Sequence, residues 1–227
     1  MRPPRARPSR PAEGGADAGA PSAGAPAVPL AARAGQTGAD GYGAAGSGWH
    51  VERTVVLLRG INVGRAKQVP MADLTAALEG LGYRGVRTHL RSGNAVVDHD
   101  RPPGRGAAVA IEDAVRLATG VTADVHLVAA DDFRRIAAGI PFAGIADDPS
   151  RLIVSFLDRP QRPSPPAPPA DEIAPDLVEV APDAVYSWHP DGVSRSRVPA
   201  SFWRGLGVSV TARNARTVAA LVALLDA

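Results

Sequence analysis

Apolar positions along the chain follow two rhythms, one of strands and one of helices. Thr54–Leu58 (T-V-V-L-L) is a continuous β-branched and apolar run, the pattern of a central buried strand. Pro70 suits a first helical turn; behind it Met71, Leu74, Leu78 and Leu81 recur at helical spacing, and Gly82 stops them. Val86–Leu90 alternates, with Val86, Thr88 and Leu90 on one face and Arg87 and His89 on the other. Ser92-Gly93-Asn94 supplies turn chemistry, and Ala95–Asp98 returns as the second arm of a hairpin. Ile111, Val115 and Ala118 mark a helix ended by Gly120, and Ala123–Val128 is the next strand. The order β-α-β-β-α-β is the ferredoxin-like split plan.

The rhythm then repeats in weaker form. Asp131-Asp132 opens a short helix carrying Phe133, Ile136 and Ala137, and Leu152–Leu157 (L-I-V-S-F-L) is a strong strand. Pro160 to Pro169 reads as an extended, solvated connection. Leu177–Val180 and Ala184–Trp188 read as two strands, Phe202-Trp203 as a helix, and Val208–Thr211 as a short strand. Asn214 is a plausible N-cap for a last helix bearing Val218, Leu221, Val222 and Leu225. The pattern predicts an α+β protein of two ferredoxin-like (α/β-plait) subdomains, the second degenerate. The first spans 51–148 with its connecting helix and the second 149–227.

Residues 1–50 are different material. Ala, Gly and Pro make up 31 of them, and after Met1 only Val28, Leu30, Tyr42 and Trp49 are large and apolar. Such a stretch cannot bury enough surface to offset its ordering entropy, so a disordered tail is expected. Its arginines are not followed by an apolar run of about 7–15 residues, which a secretory signal requires. Patterned sequence begins abruptly after Val51, which suggests a start there and a tail that is not translated in the cell. No window of about 18 apolar residues exists, so no membrane span is expected and a cytoplasmic protein is.

The chain has 25 basic and 23 acidic residues, and the excess of two lies within the tail. A body with balanced charge does not bind nucleic acid by bulk charge alone. Within it, 191–216 concentrates Arg195, Arg197, Arg204, Arg213 and Arg216 against Asp191. There is no cysteine, which excludes disulfides, thiolate metal sites and cysteine nucleophiles. The five histidines show no ligand spacing, so neither a metal nor a cofactor is expected. No His-Asp pair has a spacing that nominates a base for a nucleophilic serine.

Three polar loops carry the candidate chemistry. L-R-G-I-N-V-G (58–64) follows the first strand, placing Arg59 at a strand end, where ligands of open α/β sheets often bind, with Asn62 and Lys67 in the loop. Its glycines fit neither a Walker loop nor a dinucleotide fingerprint. L-R-S-G-N (90–94) carries Arg91, Ser92 and Asn94, and T-A-R-N-A-R-T (211–217) places Arg213 and Asn214 at the start of the last helix, whose free N–H groups suit an anion. The same residues also suit loops and caps that serve only the fold.

Together V-V-L-L-R-G-I-N-V-G, V-P-M-A-D-L, S-G-N-A-V-V, L-I-V-S-F-L-D, W-H-P-D-G and T-A-R-N-A-R-T-V resemble domain-of-unknown-function family 1697, over about 53–226. The resemblance implies two α/β-plait subdomains in a bacterial protein, and no established activity. The chain departs from the family pattern at Arg65-Ala66-Lys67, where a second glycine and a Lys-Asn-like pair are usual. It departs also at Arg91, where Gln is usual, and at Ile140, where Asn is.

Three functions stay open. The first is a binding module for an anionic ligand, nucleic acid or a phosphorylated small molecule, held in a cleft between subdomains by Arg59, Asn62, Lys67, Arg91, Ser92, Asn94, Arg213 and Asn214. The two central strands lack aromatics, so base stacking on the sheet is not the mode. The second is an enzyme of unknown reaction in the same cleft, for which no general base stands out. The third is a scaffold for a partner protein. Nothing in the sequence sets the oligomeric state. The first two require the three loops to meet.

Overall fold

The structure is a computed structural model that describes residues 52–62, 67–142 and 144–227. The expected disordered tail and part of the first glycine loop lie outside them. The chain runs β1 (Glu52–Arg59), α1 (Met71–Gly80), β2 (Arg84–His89), β3 (Asn94–His99), α2 (Ala107–Thr119), β4 (Asp124–Ala129) and α3 (Ala130–Ala138). It continues β5 (Leu152–Leu157), α4 (Ala170–Ile173), β6 (Leu177–Val180), β7 (Ala184–Trp188), α5 (Ala200–Gly205), β8 (Val210–Asn214) and α6 (Ala215–Asp226). Two four-stranded antiparallel sheets result, ordered β2-β3-β1-β4 and β6-β7-β5-β8. The second order repeats the first, as the split β-α-β-β-α-β plan requires.

Each sheet has an inner and an outer face, because side chains alternate. On the inner faces Val55, Leu57 and Val96 of the first sheet and Val154, Phe156, Ala184 and Tyr186 of the second share one core with α3 and α6. Phe133 of α3 stacks on Phe156 at 5.2 Å between centroids, and the Tyr186 hydroxyl donates to the Ile136 carbonyl at 2.9 Å. Burying a side chain of this size contributes about 1.5–3 kcal/mol, so this shared layer joins the two halves.

The outer faces differ. That of the first sheet is sealed by α1 and α2, with Val56, Leu58, Ala95 and Val97 packed on Leu74, Leu78, Ile111 and Val115. The second sheet has a smaller outer cluster of Leu157, Val185 and Leu206, with Phe202 and Trp203 beside it. Its helices are short, four residues in α4 and six in α5. Prolines 163, 165, 166, 168 and 169 lack the N–H a helix needs, so the segment after β5 cannot build a counterpart of α1.

Two boundaries differ from the sequence pattern. The strand expected at 86–90 stops at His89, because Leu90 takes a left-handed conformation and is exposed. The last strand, expected at 208–211, is Val210–Asn214. Its ladder with β5 runs on through Arg213, opposite Val154, because that guanidinium finds acceptors across the core.

Candidate functional site

Arg213 is where the three polar loops meet. Its side chain reaches from β8 to the first sheet, and its residue is 9% exposed. Nε donates to Asn94 Oδ1; Nη1 donates to Thr211 Oγ1 at 3.1 Å and the Ala212 carbonyl at 2.8 Å. Nη2 donates to the carbonyls of Leu58 (2.8 Å), Gly93 (3.2 Å) and Ser92 (3.3 Å). All these acceptors are neutral, and burial draws the guanidinium pKa down to about 10, so the group is still a cation at neutral pH.

The turn that receives it depends on one glycine. Gly93 has φ +75°, and a Cβ there would stand 2.7 Å from Leu58 and Ile61. Only glycine combines that backbone with that closeness. The arrangement aims the Gly93 carbonyl at both the Leu58 N–H (2.8 Å) and Arg213. Asn94 is fully buried, and its Nδ2 donates to the His89 carbonyl and Ser92 Oγ, both at 2.9 Å. Asn62, at φ 53°, donates Nδ2 to the Val69 carbonyl (3.1 Å) and to that of Arg91, and accepts the Val69 N–H at 2.8 Å. Its own N–H bonds the Lys67 carbonyl at 2.8 Å.

Asn62, Lys67, Arg91, Ser92, Asn94 and Arg213 are therefore brought into one hydrogen-bonded network. Inside it, Asn62, Asn94 and Arg213 direct their polar atoms at the protein itself. Lys67, Arg91 and Ser92 are exposed at its rim, with Arg91 Nη2 on Gln68 Oε1 at 2.9 Å. Asn214 lies apart and caps α6 by accepting the Thr217 N–H at 2.9 Å. Arg59 projects the other way, half-exposed and loosely paired with Asp124 at 3.5 Å.

Beside Arg59 lies a cavity of about 480 Å³, also lined by Asp158, Arg159, Trp203, Arg204 and the 207–210 segment. Arg159 is held by a bond from Nη2 to the Gly207 carbonyl at 3.0 Å. Three guanidinium groups from β1, the end of β5 and α5 thus surround one concave space with one carboxylate. A second cavity, about 390 Å³, adjoins it through Arg59, Trp203 and Val210, and is floored by the outer face of the second sheet. Of the sequence candidates only Arg59 lines these spaces. Arg159 was not singled out by the sequence. Trp203, read in the sequence as part of a helix, is half-buried at the wall between the two cavities. Among the described residues no group of three His, Cys, Asp or Glu side chains is placed to hold a metal.

A family model described as "Protein of unknown function (DUF1697)" matches residues 51–186. The chain belongs to the DUF1697 family. The match ends within β7, before the W-H-P-D-G and T-A-R-N-A-R-T stretches. In fold, this DUF1697 protein is similar to the conserved bacterial protein SP0830 from Streptococcus pneumoniae. The TM-score is 0.54 at 20% identity, covering 77% of this chain and 99% of that one. No curated protein matches the chain in sequence.

Proposed function

We propose that this DUF1697 protein binds an anionic small molecule, of the phosphorylated kind, in the cleft between its two halves. The supporting observation is the convergence of Arg59, Arg159 and Arg204 on the 480 Å³ cavity, with Trp203 as an apolar wall. A hydrogen bond to a charged group contributes about 1.5–3 kcal/mol, and arginine forks fit phosphate and carboxylate oxygens in pairs. The network around Arg213 supports the reading indirectly, because it fixes the end of β1 and so the base of Arg59. A concave space of this size favours a compact ligand over a nucleic-acid strand, which would need a longer basic track.

The test is a thermal-shift and calorimetric screen with pyrophosphate, nucleoside mono- and diphosphates and a single-stranded oligonucleotide, each at 50 and 200 mM salt. A small phosphorylated compound should raise the melting temperature. Arg59→Ala and Arg204→Ala should each weaken its binding about 10-fold or more. If no probe shifts melting at millimolar concentration, or both variants bind like the parent, the reading fails. Tight binding of the oligonucleotide alone, with a steep salt slope, would transfer the site to nucleic acid. Among the described residues no helix is long and apolar enough to cross a membrane, and we propose a cytoplasmic location, which cell fractionation checks.

A further inference from the structure

The outer face of the second sheet holds three polar side chains that packing alone does not call for. Ser187 and His189 are two residues apart on β7 and its continuation, so both face outward. Ser187 Oγ and His189 Nε2 are 2.8 Å apart. On the neighbouring strand, Leu177 pairs with Trp188, which sets the preceding Asp176 beside His189. Asp176 Oδ2 stands 3.1 Å from His189 Nδ1, which is buried and makes no hydrogen bond here. The same oxygen accepts the Arg197 N–H at 2.7 Å, which holds the carboxylate in place. The three residues are 1%, 3% and 2% exposed.

A carboxylate at Nδ1 favours the tautomer with its proton there and leaves Nε2 as an acceptor for the serine hydroxyl. The order carboxylate, imidazole, hydroxyl is that of an activated nucleophile. Such contacts often align only once a substrate is held. The serine does not face solid protein: Ser187, His189 and Ser155 line the 390 Å³ cavity, which Arg59 and Trp203 share with the anion cavity. Among the described residues the Ser155 hydroxyl, diagonal to Ser187 across the β5–β7 ladder, has no hydrogen-bond partner.

We propose that Ser187, His189 and Asp176 form the catalytic triad of a serine hydrolase that cleaves esters of a small acid bearing an anionic group. Ser187 Oγ attacks the carbonyl carbon as its proton passes to His189 Nε2, and the carbonyl π pair moves onto oxygen. Ser155 Oγ and Arg59 stabilise that oxyanion. Collapse expels the alcohol, which takes the proton from His189. Water then gives a proton to His189 Nε2 as its oxygen bonds the acyl carbon; collapse breaks the bond to Ser187 Oγ, which takes that proton back as the acid leaves. Asp176 keeps its charge and stabilises the imidazolium. The triad stands on its own geometry; the anionic group of the substrate rests on the binding reading above.

The test is to treat the full chain with a fluorophosphonate probe and locate the adduct by peptide mass spectrometry. Labelling on Ser187, absent in Ser187→Ala, retained in Ser194→Ala at an exposed site, and reduced about 100-fold or more in His189→Gln, is the expected result. Labelling of the unaltered protein needs no variant to fold; absence of an adduct on Ser187, or an adduct elsewhere only, overturns the proposal. Turnover of p-nitrophenyl acetate is then compared with that of a p-nitrophenyl ester of succinate. A preference for the charged ester of about 10-fold or more in kcat/KM is expected. Ser187 labelling without that preference overturns the anionic substrate alone. Phosphate-ligand binding without Ser187 labelling overturns the hydrolase and leaves the binding site.

Discussion

The two halves are built on one register and use it for opposite ends. Leu57 pairs with Asn94, the first residue of β3, as Phe156 pairs with Ala184, the first residue of β7. Laid over each other on that register, Val56 corresponds to Ser155, Val97 to Ser187 and His99 to His189. In the first half Val56 and Val97 are fully buried under α1 and α2. In the second half the helices are short, and serines, still buried, stand at the corresponding positions. His99 bonds Thr54 Oγ1 at 2.8 Å beside a cavity of about 550 Å³, and His189 bonds Ser187 at 2.8 Å on the floor of the 390 Å³ one. A sheet face thus becomes core or site according to what the next segment of chain can cover, and the residues on it follow.

The largest effect is expected from forcing the sealed face to imitate the open one. Val56→Ser with Val97→Ser should cost about 3 kcal/mol each, from lost burial and an unsatisfied hydroxyl. A drop in the urea midpoint checks it. The converse pair, Ser155→Val with Ser187→Val, should leave the protein folded in the same assay but abolish fluorophosphonate labelling. Next comes Arg213→Met, which removes the guanidinium donor from Asn94 and from three carbonyls of the first half. A loss of about 3 kcal/mol is expected, and a variant that melts with the parent would show that the link between halves is unimportant. Asn214→Ala removes the cap of α6 and should cost about 1 kcal/mol, read from the same curves.

The smallest effect is one of pH. His126 of β4 contacts Ser209 Oγ at 3.1 Å, and burial, outweighing the nearby carboxylates, holds its pKa below the usual imidazole value. The unfolded chain then takes up a proton at a higher pH than the folded one. Stability is full above about pH 6.5 and falls as pH drops below it toward the folded value. His126→Gln should flatten that part of the profile by less than about 1 kcal/mol, measured as melting temperature between pH 7.5 and 5.

The strand and helix order was legible in the sequence because it rests on local periodicity: the T-V-V-L-L run, the spacing of Leu74 and Leu78, Asn214 as a cap. Arg213 was legible as an unusual residue but not in its role. An arginine next to a helix start reads as an anion site, and only the packing of one sheet against the other turns it inward. Asp176 and His189 become neighbours through the β6–β7 ladder, at a separation no motif encodes. Ser187 hides inside the run Ala184–Trp188, which reads as a strand, between two aromatic residues. Overlaying the two halves would have revealed it, since a serine replaces valine at both outer positions. Arg159 escaped notice in a chain where arginine is common.

The layer of α3 and α6 has a further consequence. Each helix follows the last strand of its own half yet packs in a core drawn from both sheets. Expressing either half by itself would leave an oily slab facing water, and a chain cut at the end of the family match would lack β8, α6 and the guanidinium that joins the sheets. Melting should therefore proceed in one step, with no half surviving the other.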